Sequence, residues 1–226
     1  MSQRVPAPEA LQPESFAFSE QGENRARQLI GRYPDSRKES AVIPLLDLAQ
    51  RESGGWLPRA AMDYVAAVLG MPPIRVYEIG TFYSMFNLKP VGRHLIQVCR
   101  TTPCWLRGSD ALTATCRQKL GIDLGETSAD GQFTLVEVEC LGACVNAPMV
   151  QVNDDYYEDL SPELMATLID DLAAGRAVSI GSQAGRRGSE PIGGATTLQD
   201  LPDPPVVKTM AFDKPAEEKA EAAEKS

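Results

Sequence analysis

Residues 19–88 show the spacing of apolar side chains that is typical of amphipathic helices. Ser36 and Glu39 match the S-x-x-E capping box and stand just ahead of an apolar run, so we predict that a helix begins there. Pro44 lies inside this run and predicts a first-turn proline or a bend. The glycines at 54–55 end the segment.

Two further helices are predicted in the same region. One starts at about Pro58 and ends at Gly70, and the next follows the prolines at 72–73 and runs to Phe86. The aromatic stretch 81–86 is compatible with a cofactor-binding element, but aromatic side chains at helical spacing are more often buried in a core. We therefore predict that this stretch packs in the core.

From about residue 92 the apolar period changes from that of helices to that of strands. The predicted elements are a strand over 94–99, a helix over 109–120, a strand over 133–140, a hairpin of 149–152 and 155–158, and a helix over 161–175. The order β-α-β-β-β-α is typical of a small α/β or α+β sandwich of the thioredoxin-like kind.

These patterns divide the chain into four parts. They are a flexible lead-in over 1–18, an N-terminal helical domain over 19–90, a thioredoxin-like domain over 91–180 and an extended or disordered tail over 181–226. The tail is rich in glycine and proline and ends in a charged run over 214–226, which favours disorder there. For 181–213 an extended arm that lies on a partner fits equally well, since apolar residues recur along it.

The composition is that of an ordinary globular protein, with 226 residues, 43% hydrophobic and 23% charged. A formal net charge of −9 argues against nucleic acid as a partner, because phosphate binding requires a basic surface. No run approaches the roughly 18 apolar residues that cross a bilayer. We expect no secretion signal in residues 1–18, since they lack a continuous apolar stretch. We expect a protein in or facing the cytoplasm, where clustered cysteines are more often metal ligands or redox thiols than disulfides.

Four of the five cysteines form two close pairs, Cys99 with Cys104 and Cys140 with Cys144. The spacing is C-x4-C, then 35 residues, then C-x3-C, and each pair lies where a predicted strand ends. If the two strands end at the same edge of the sheet, four thiolates come together, which is the number that a [2Fe–2S] cluster takes. Gly142 permits a tight turn that aims backbone N–H groups at sulfur, and nearby threonine hydroxyls can also donate to sulfur.

Other chemistries stay open for these cysteines on spacing alone. A structural zinc site uses the same number of thiolates, although most such sites have the tighter C-x2-C spacing. A catalytic dithiol would need C-x2-C at the start of a helix, which neither pair has, and a disulfide is the remaining option. His94 is the sole histidine, which excludes two-histidine zinc and iron sites and Rieske centres within this chain.

The fifth cysteine, Cys116, lies at helical spacing from Leu112 and Leu120, so we predict a buried structural thiol rather than a ligand. His94, at the start of a predicted strand, is expected to be structural or exposed to solvent. There is no G-x-G-x-x-G motif after a strand and no P-loop, so we expect NADH and flavin to bind to another chain.

Residues 33–163 resemble a known family, the thioredoxin-like [2Fe–2S] subunits (24 kDa type) of respiratory complex I, the NADH:quinone oxidoreductase. The matching blocks are AVIPLL at 41–46, GWLP at 55–58, VYEIGTFY at 76–83, VCRTTPC at 98–104 and ECLGACVNAP at 139–148. The resemblance implies an N-terminal helical bundle followed by a thioredoxin-like [2Fe–2S] ferredoxin domain. The chain departs from the family pattern at Gly80 and in its long tail.

The resemblance implies that Cys99, Cys104, Cys140 and Cys144 are the cluster ligands, the first pair on one iron and the second on the other. It also implies a partner subunit that holds FMN and the NADH site, other peripheral-arm subunits nearby, and a place on the cytoplasmic side of the bacterial inner membrane. Related subunits serve NAD-linked formate dehydrogenases and hydrogenases, which is one alternative; a structural zinc-binding assembly module is another. Pro148 occupies the position at which thioredoxin-like folds place a cis-proline.

Overall fold

The computed structural model describes residues 5–194, 196–197, 199–200 and 202. Their contacts form two compact units, one up to Val91 and one from Gly92 onward. The helices of the first unit are α1 (Glu20–Ile30), α2 (Val42–Glu52), α3 (Arg59–Leu69) and α4 (Pro73–Phe82). The elements of the second are β1 (His94–Cys99), α5 (Thr102–Leu106), α6 (Ser109–Leu120), β2 (Phe133–Val138), β3 (Val150–Val152), β4 (Asp155–Glu158), α7 (Pro162–Ala173) and β5 (Gly181–Ser182). None of these helices is long and apolar enough to cross a membrane.

The helices of the first unit bury their apolar faces in a common core. α3 ends as predicted, because Gly70 adopts a left-handed conformation (φ 68°) that glycine takes without steric strain. Pro44 falls in the first turn of α2, also as predicted, where its missing N–H costs no helical hydrogen bond. Fully buried members of this core include Leu45, Leu46, Val65, Leu69 and Phe86.

The predicted capping box at Ser36 and Glu39 is wrong. Arg37, between them, has non-helical dihedral angles (φ −138°, ψ 24°), so the chain forms a 3₁₀ turn there and α2 begins downstream. This interruption breaks the reciprocal hydrogen bonds that the motif requires. Ser19 is an actual helix cap in this unit, since its Oγ accepts a hydrogen bond from the amide of Gly22 at 3.0 Å.

The prediction that residues 81–86 pack in the core is correct for Phe86 and wrong for Phe82 and Tyr83. Tyr83 has an extended backbone (φ −78°, ψ 122°), so α4 ends at Phe82 rather than continuing to Phe86. Phe82 is consequently 78% exposed and contacts Tyr83 edge-on, with 5.1 Å between the ring centroids.

Residues 5–18 belong to the first unit and contact its helices at several points, in contrast to the flexible lead-in that we expected. The amide of Ala7 donates to the carbonyl of Leu88 at 2.8 Å. Phe16 and Phe18 contact Tyr64 edge to face, with ring centroids 5.6 and 5.4 Å apart. Aromatic burial thus orders a stretch whose prolines had indicated a loose segment.

The second unit is built on a sheet of strand order β2-β1-β3-β4-β5. β1 and β2 are parallel, β3 is antiparallel to both β1 and β4, and β5 is parallel to β4. α6 and α7 contact each other and share an apolar core with the sheet. The predicted α/β thioredoxin-like architecture is confirmed, although β2 ends at Val138 and α5 and β5 were not predicted.

The tail that we expected from residue 181 begins as a packed segment. β5 pairs with β4, with Gly181 opposite Tyr157. Arg186 forms an ion pair with Asp159 in which both side chains are nearly buried. The predictions made for residues 203–226 lie outside the described residues.

Candidate metal centre

β1 and β2 run parallel and end at the same edge of the sheet. Their register places Cys99, the last residue of β1, opposite Val138, the last residue of β2. The amide of Arg100 then donates to the carbonyl of Val138 at 3.1 Å, which extends the pairing by one residue. Cys140 follows two residues later, so both cysteine pairs begin at this edge.

The first pair, Cys99 and Cys104, is buried, with 2% and 1% of the residue surfaces exposed. Cys104 lies in α5, a short helix in a stretch for which the sequence predicted neither helix nor strand. A signal for it was present, because a proline in the first turn is typical of a helix start. Thr101 Oγ1 lies 3.5 Å from Cys99 Sγ, in agreement with the predicted contact between a threonine hydroxyl and sulfur.

The second pair, Cys140 and Cys144, lies on an exposed loop with its two Sγ atoms 3.5 Å apart. Gly142, between them, has a φ of 89°, and its amide donates a hydrogen bond to Cys140. Tyr156 ties this loop to β4, since its hydroxyl donates to the carbonyl of Leu141 at 2.8 Å. The loop thus has the tight turn and the sulfur-directed amide that the sequence predicted.

Packing brings the two pairs into one site. Leu141, from the loop of the second pair, packs against the small apolar cluster that contains Cys99 and Cys104. The hydroxyl of Thr101 interacts with a sulfur of each pair, that of Cys99 and that of Cys140.

The thiols of the first pair have opposite pKa shifts. Burial raises the pKa of Cys99, but hydrogen bonds from the Thr101 hydroxyl and from the amide of Leu141 outweigh it and leave that pKa below its ordinary value. Burial, together with the hydrogen bond to Cys99, raises the pKa of Cys104 to about 12. Cys99 is therefore the thiol of this pair that loses its proton more readily.

The second pair is divided in the same way. The hydrogen bond from the amide of Gly142 lowers the pKa of Cys140, and the neighbouring thiol of Cys144 adds to this effect. The hydrogen bond between the two thiols raises the pKa of Cys144. The thiolate is the metal-binding form of cysteine. Each pair therefore contains one thiol, Cys99 or Cys140, whose lowered pKa favours that form.

The donor set fits a binuclear cluster. A [2Fe–2S] cluster takes four thiolates, and the structure offers four cysteine sulfurs as two pairs. The same four sulfurs also match the number of ligands that a structural zinc ion takes.

Glu137 lies near the site and was not among the candidate residues predicted from the sequence. One of its carboxylate oxygens accepts a hydrogen bond from Thr113 Oγ1 at 3.1 Å, and the other lies 3.5 Å from Arg100 Nη1. It is two residues beyond Leu135, which is fully buried, so the alternation of β2 turns Glu137 toward α6. The alternation of side chains along β2 is therefore the sequence pattern from which the position of Glu137 could have been predicted.

Exposed apolar side chains lie next to the ligand candidates in sequence. Trp105 and Leu106 follow Cys104 and are 57% and 71% exposed, and Val145 follows Cys144 and is 63% exposed. Large apolar side chains at the surface near a candidate site are typical of a surface that another protein covers.

Cys116, His94 and Pro148 are placed as follows. Cys116 is fully buried in α6, as predicted, and burial raises its pKa to about 12. His94 is half-buried against Phe133, with 5.2 Å between the ring centroids, and burial lowers its pKa. The Ala147–Pro148 peptide bond is cis, as expected for its position.

Comparison with known proteins agrees with this architecture. Residues 26–173 match the family model of the thioredoxin-like [2Fe–2S] ferredoxins. The E subunit of the NADH-quinone oxidoreductase of Rickettsia bellii (strain RML369-C) is 60% identical over 158 residues, covering 70% of this chain and 95% of that protein. The mitochondrial NADH dehydrogenase (ubiquinone) flavoprotein 2 of Dictyostelium discoideum is 47% identical over 193 residues, covering 85% of this chain and 78% of that protein.

Among solved structures, an NAD+-reducing [NiFe]-hydrogenase in the H2-reduced state aligns with a TM-score of 0.51 and 22% identity. The alignment covers 57% of this chain and 22% of the hydrogenase chain, and it shows a likeness of fold alone. The family model covers α2 to α4 of the first unit and the whole region of the four cysteines. The chain therefore belongs to the thioredoxin-like [2Fe–2S] ferredoxin family.

Proposed function

We propose that this chain is the electron-transfer subunit of an NADH:quinone oxidoreductase (complex I) and that it holds one [2Fe–2S] cluster. The proposed ligands are Cys99 and Cys104 on one iron, and Cys140 and Cys144 on the other. The observation that carries the proposal is the meeting of two cysteine pairs where β1 and β2 end. The 60% identity to the Rickettsia bellii protein supports the choice of parent enzyme.

When bound, a [2Fe–2S] cluster supplies the capacity to accept and release one electron at a time. The chain surrounds this site unevenly. It buries Cys99 and Cys104 and leaves Cys140 and Cys144 exposed. Hydrogen bonds from Thr101 and backbone amides stabilise negative charge on sulfur, which favours the reduced state.

We propose that FMN and NADH bind to a partner subunit and that electrons pass through the exposed side of the site. Cys140 and Cys144 lie on that side, and Trp105 and Val145 give it apolar surface that a partner can cover. We further place the chain in the peripheral arm, on the cytoplasmic side of the bacterial inner membrane, beside other subunits of the complex.

An equivalent subunit of an NAD-linked hydrogenase or formate dehydrogenase is the second candidate. The hydrogenase structure supports it through the shared fold, at 22% identity. The much higher identity to the Rickettsia bellii oxidoreductase subunit, over nearly the whole of that protein, favours complex I.

Purification of the tagged native chain from detergent-solubilised membranes tests this proposal. We expect it to elute in a large assembly that contains FMN and oxidises NADH with a quinone as acceptor. NADH oxidation coupled to hydrogen or formate instead of quinone would favour the second candidate. Elution as a lone monomer with no flavoprotein attached would contradict both.

A further inference from the structure

The segment over residues 181–194, which we call the clasp segment, follows α7 and lies outside the family model, which ends at residue 173. It is ordered on the second unit. Its first two residues pair with β4 as β5, and the amide of Gln183 donates to the carbonyl of Glu158 at 2.9 Å. Ser182 Oγ donates to Asp159 Oδ2 at 2.7 Å.

Arg186 is the centre of this attachment. Its Nη2 donates to Asp159 Oδ1 at 2.7 Å, and the two side chains are only 11% and 8% exposed. Its Nη1 donates to the carbonyl of Val145 at 3.1 Å and to Asn146 Oδ1 at 3.2 Å. Val145 and Asn146 directly follow Cys144, so one planar guanidinium joins the clasp segment to the loop of the second cysteine pair.

Asn146 strengthens the same connection from the other side. It is 2% exposed, and its Nδ2 donates to the carbonyl of Gly188 at 2.7 Å and to Glu158 Oε2 at 2.6 Å. The amide of Asp159 donates to the carbonyl of Asn146 at 2.8 Å. Both the oxygen and the nitrogen of the Asn146 side chain thus form hydrogen bonds with the clasp segment. The backbone carbonyl of Asn146 bonds to Asp159, the residue that follows β4.

We propose that Arg186 is a positioning residue for Cys144 and that the clasp segment slows loss of the bound cluster. The loop over 140–144 is exposed and turns on a glycine, so fixed geometry must come from contacts at its ends. Tyr156 holds the loop at Leu141, and Arg186 holds the residues after Cys144. This inference rests on the proposed function in one respect, that the four cysteines hold the cluster.

The test compares the full chain, anaerobically purified, with Arg186→Ala, Arg186→Lys and a control, Arg176→Ala. Arg176 also pairs with an aspartate, Asp171, but at an exposed site after α7. We expect an iron chelator to bleach Arg186→Ala about tenfold faster than the unaltered chain, by analogy with the loss of metal affinity when an outer-shell partner of a ligand is removed. Arg186→Lys keeps the charge beside Asp159 but lacks the planar guanidinium, so its bleaching rate should fall between those of the unaltered chain and Arg186→Ala. Arg176→Ala should bleach at the rate of the unaltered chain.

Hydrogen exchange on the metal-free proteins gives a second, independent measurement. In Arg186→Ala the amides of Asn146 and Ala147 should exchange faster, while those in β1 and β2 keep their protection. Equal bleaching and equal exchange in Arg186→Ala and Arg176→Ala would overturn the proposal. Faster exchange throughout the second unit would overturn it too, because Arg186 would then stabilise the fold and not the loop. An unaltered chain without iron and sulfide would refute the proposed function, whereas the exchange result would still decide the role of Arg186 in the loop.

Discussion

Cys116 and Cys140 show how differently this chain uses one type of side chain. Cys116 is fully buried in α6, and burial raises its pKa to about 12. Cys140 is exposed, and the amide of Gly142 lowers its pKa. The sulfur of Cys140 also lies 3.5 Å from that of Cys144, whereas Cys116 packs in the core of the second unit. Position therefore makes Cys140 a candidate ligand and Cys116 a core side chain.

Serine substitutions should separate these two roles. Cys140→Ser should lose the visible absorbance of the cluster, since a hydroxyl replaces a thiolate ligand. Cys116→Ser should keep the absorbance and lower the free energy of unfolding by about 1–3 kcal/mol, the cost of burying a hydroxyl without a partner. Absorbance spectra and denaturant titrations check both variants; loss of the cluster in Cys116→Ser with retention in Cys140→Ser would discredit the ligand assignment.

His94 should make stability depend on pH. Burial, with a smaller contribution from the charge of Arg93, lowers its pKa below the ordinary value of 6.5 in the folded chain. As the pH falls below that value, the unfolded chain binds a proton that the folded chain refuses, so acid destabilises the fold. The free energy of unfolding should therefore fall more steeply in the native chain than in His94→Phe between about pH 7.5 and about pH 5. Parallel curves for the two proteins would contradict the assigned shift.

At the scale of elements, local patterns predicted some boundaries and not others. The bounds of β1, α6 and β4 follow from short apolar periods and clear end signals, which are local properties of the sequence. The motif at Ser36 failed because one residue, Arg37, leaves the helical conformation, which the spacing of the motif does not reveal. α5 is a short helix, too short for any period to show.

Two serines of the first unit test the correction to the capping assignment. Ser19 Oγ accepts from the amide of Gly22 and donates to Glu52 Oε1 at 2.8 Å. Ser19→Ala should lower the free energy of unfolding by about 1–2 kcal/mol, and Ser36→Ala should change it by less than about 0.5 kcal/mol. Denaturant titration measures both, and the opposite order would restore the capping box at Ser36.

The turn of the second cysteine pair can be tested in a similar way. Gly142 has a φ of 89° and Gly175, after α7, has a φ of 67°. Alanine at either position should cost about 1–2 kcal/mol of backbone strain. Gly142→Ala should also release the cluster to a chelator faster, whereas Gly175→Ala should not. Equal release from the two variants would show that the turn does not hold the ligands.

For the whole molecule, the site depends on contacts between distant parts of the chain. The sequence predicted that strands end at Cys99 and near Cys140, but the parallel register that joins them is a property of the sheet. Arg186 and Asn146 are 40 residues apart, and no local pattern indicates that they bond. The family resemblance indicated the four cysteines as candidate ligands, whereas the contacts that hold their loops required the folded structure.

The central claim is that this chain carries one [2Fe–2S] cluster on Cys99, Cys104, Cys140 and Cys144. The most direct measurement is metal and acid-labile sulfide analysis of the anaerobically purified full chain, together with its visible spectrum. We predict two irons and two sulfides per chain, with visible absorbance. One zinc per chain with neither sulfide nor visible absorbance would contradict the claim.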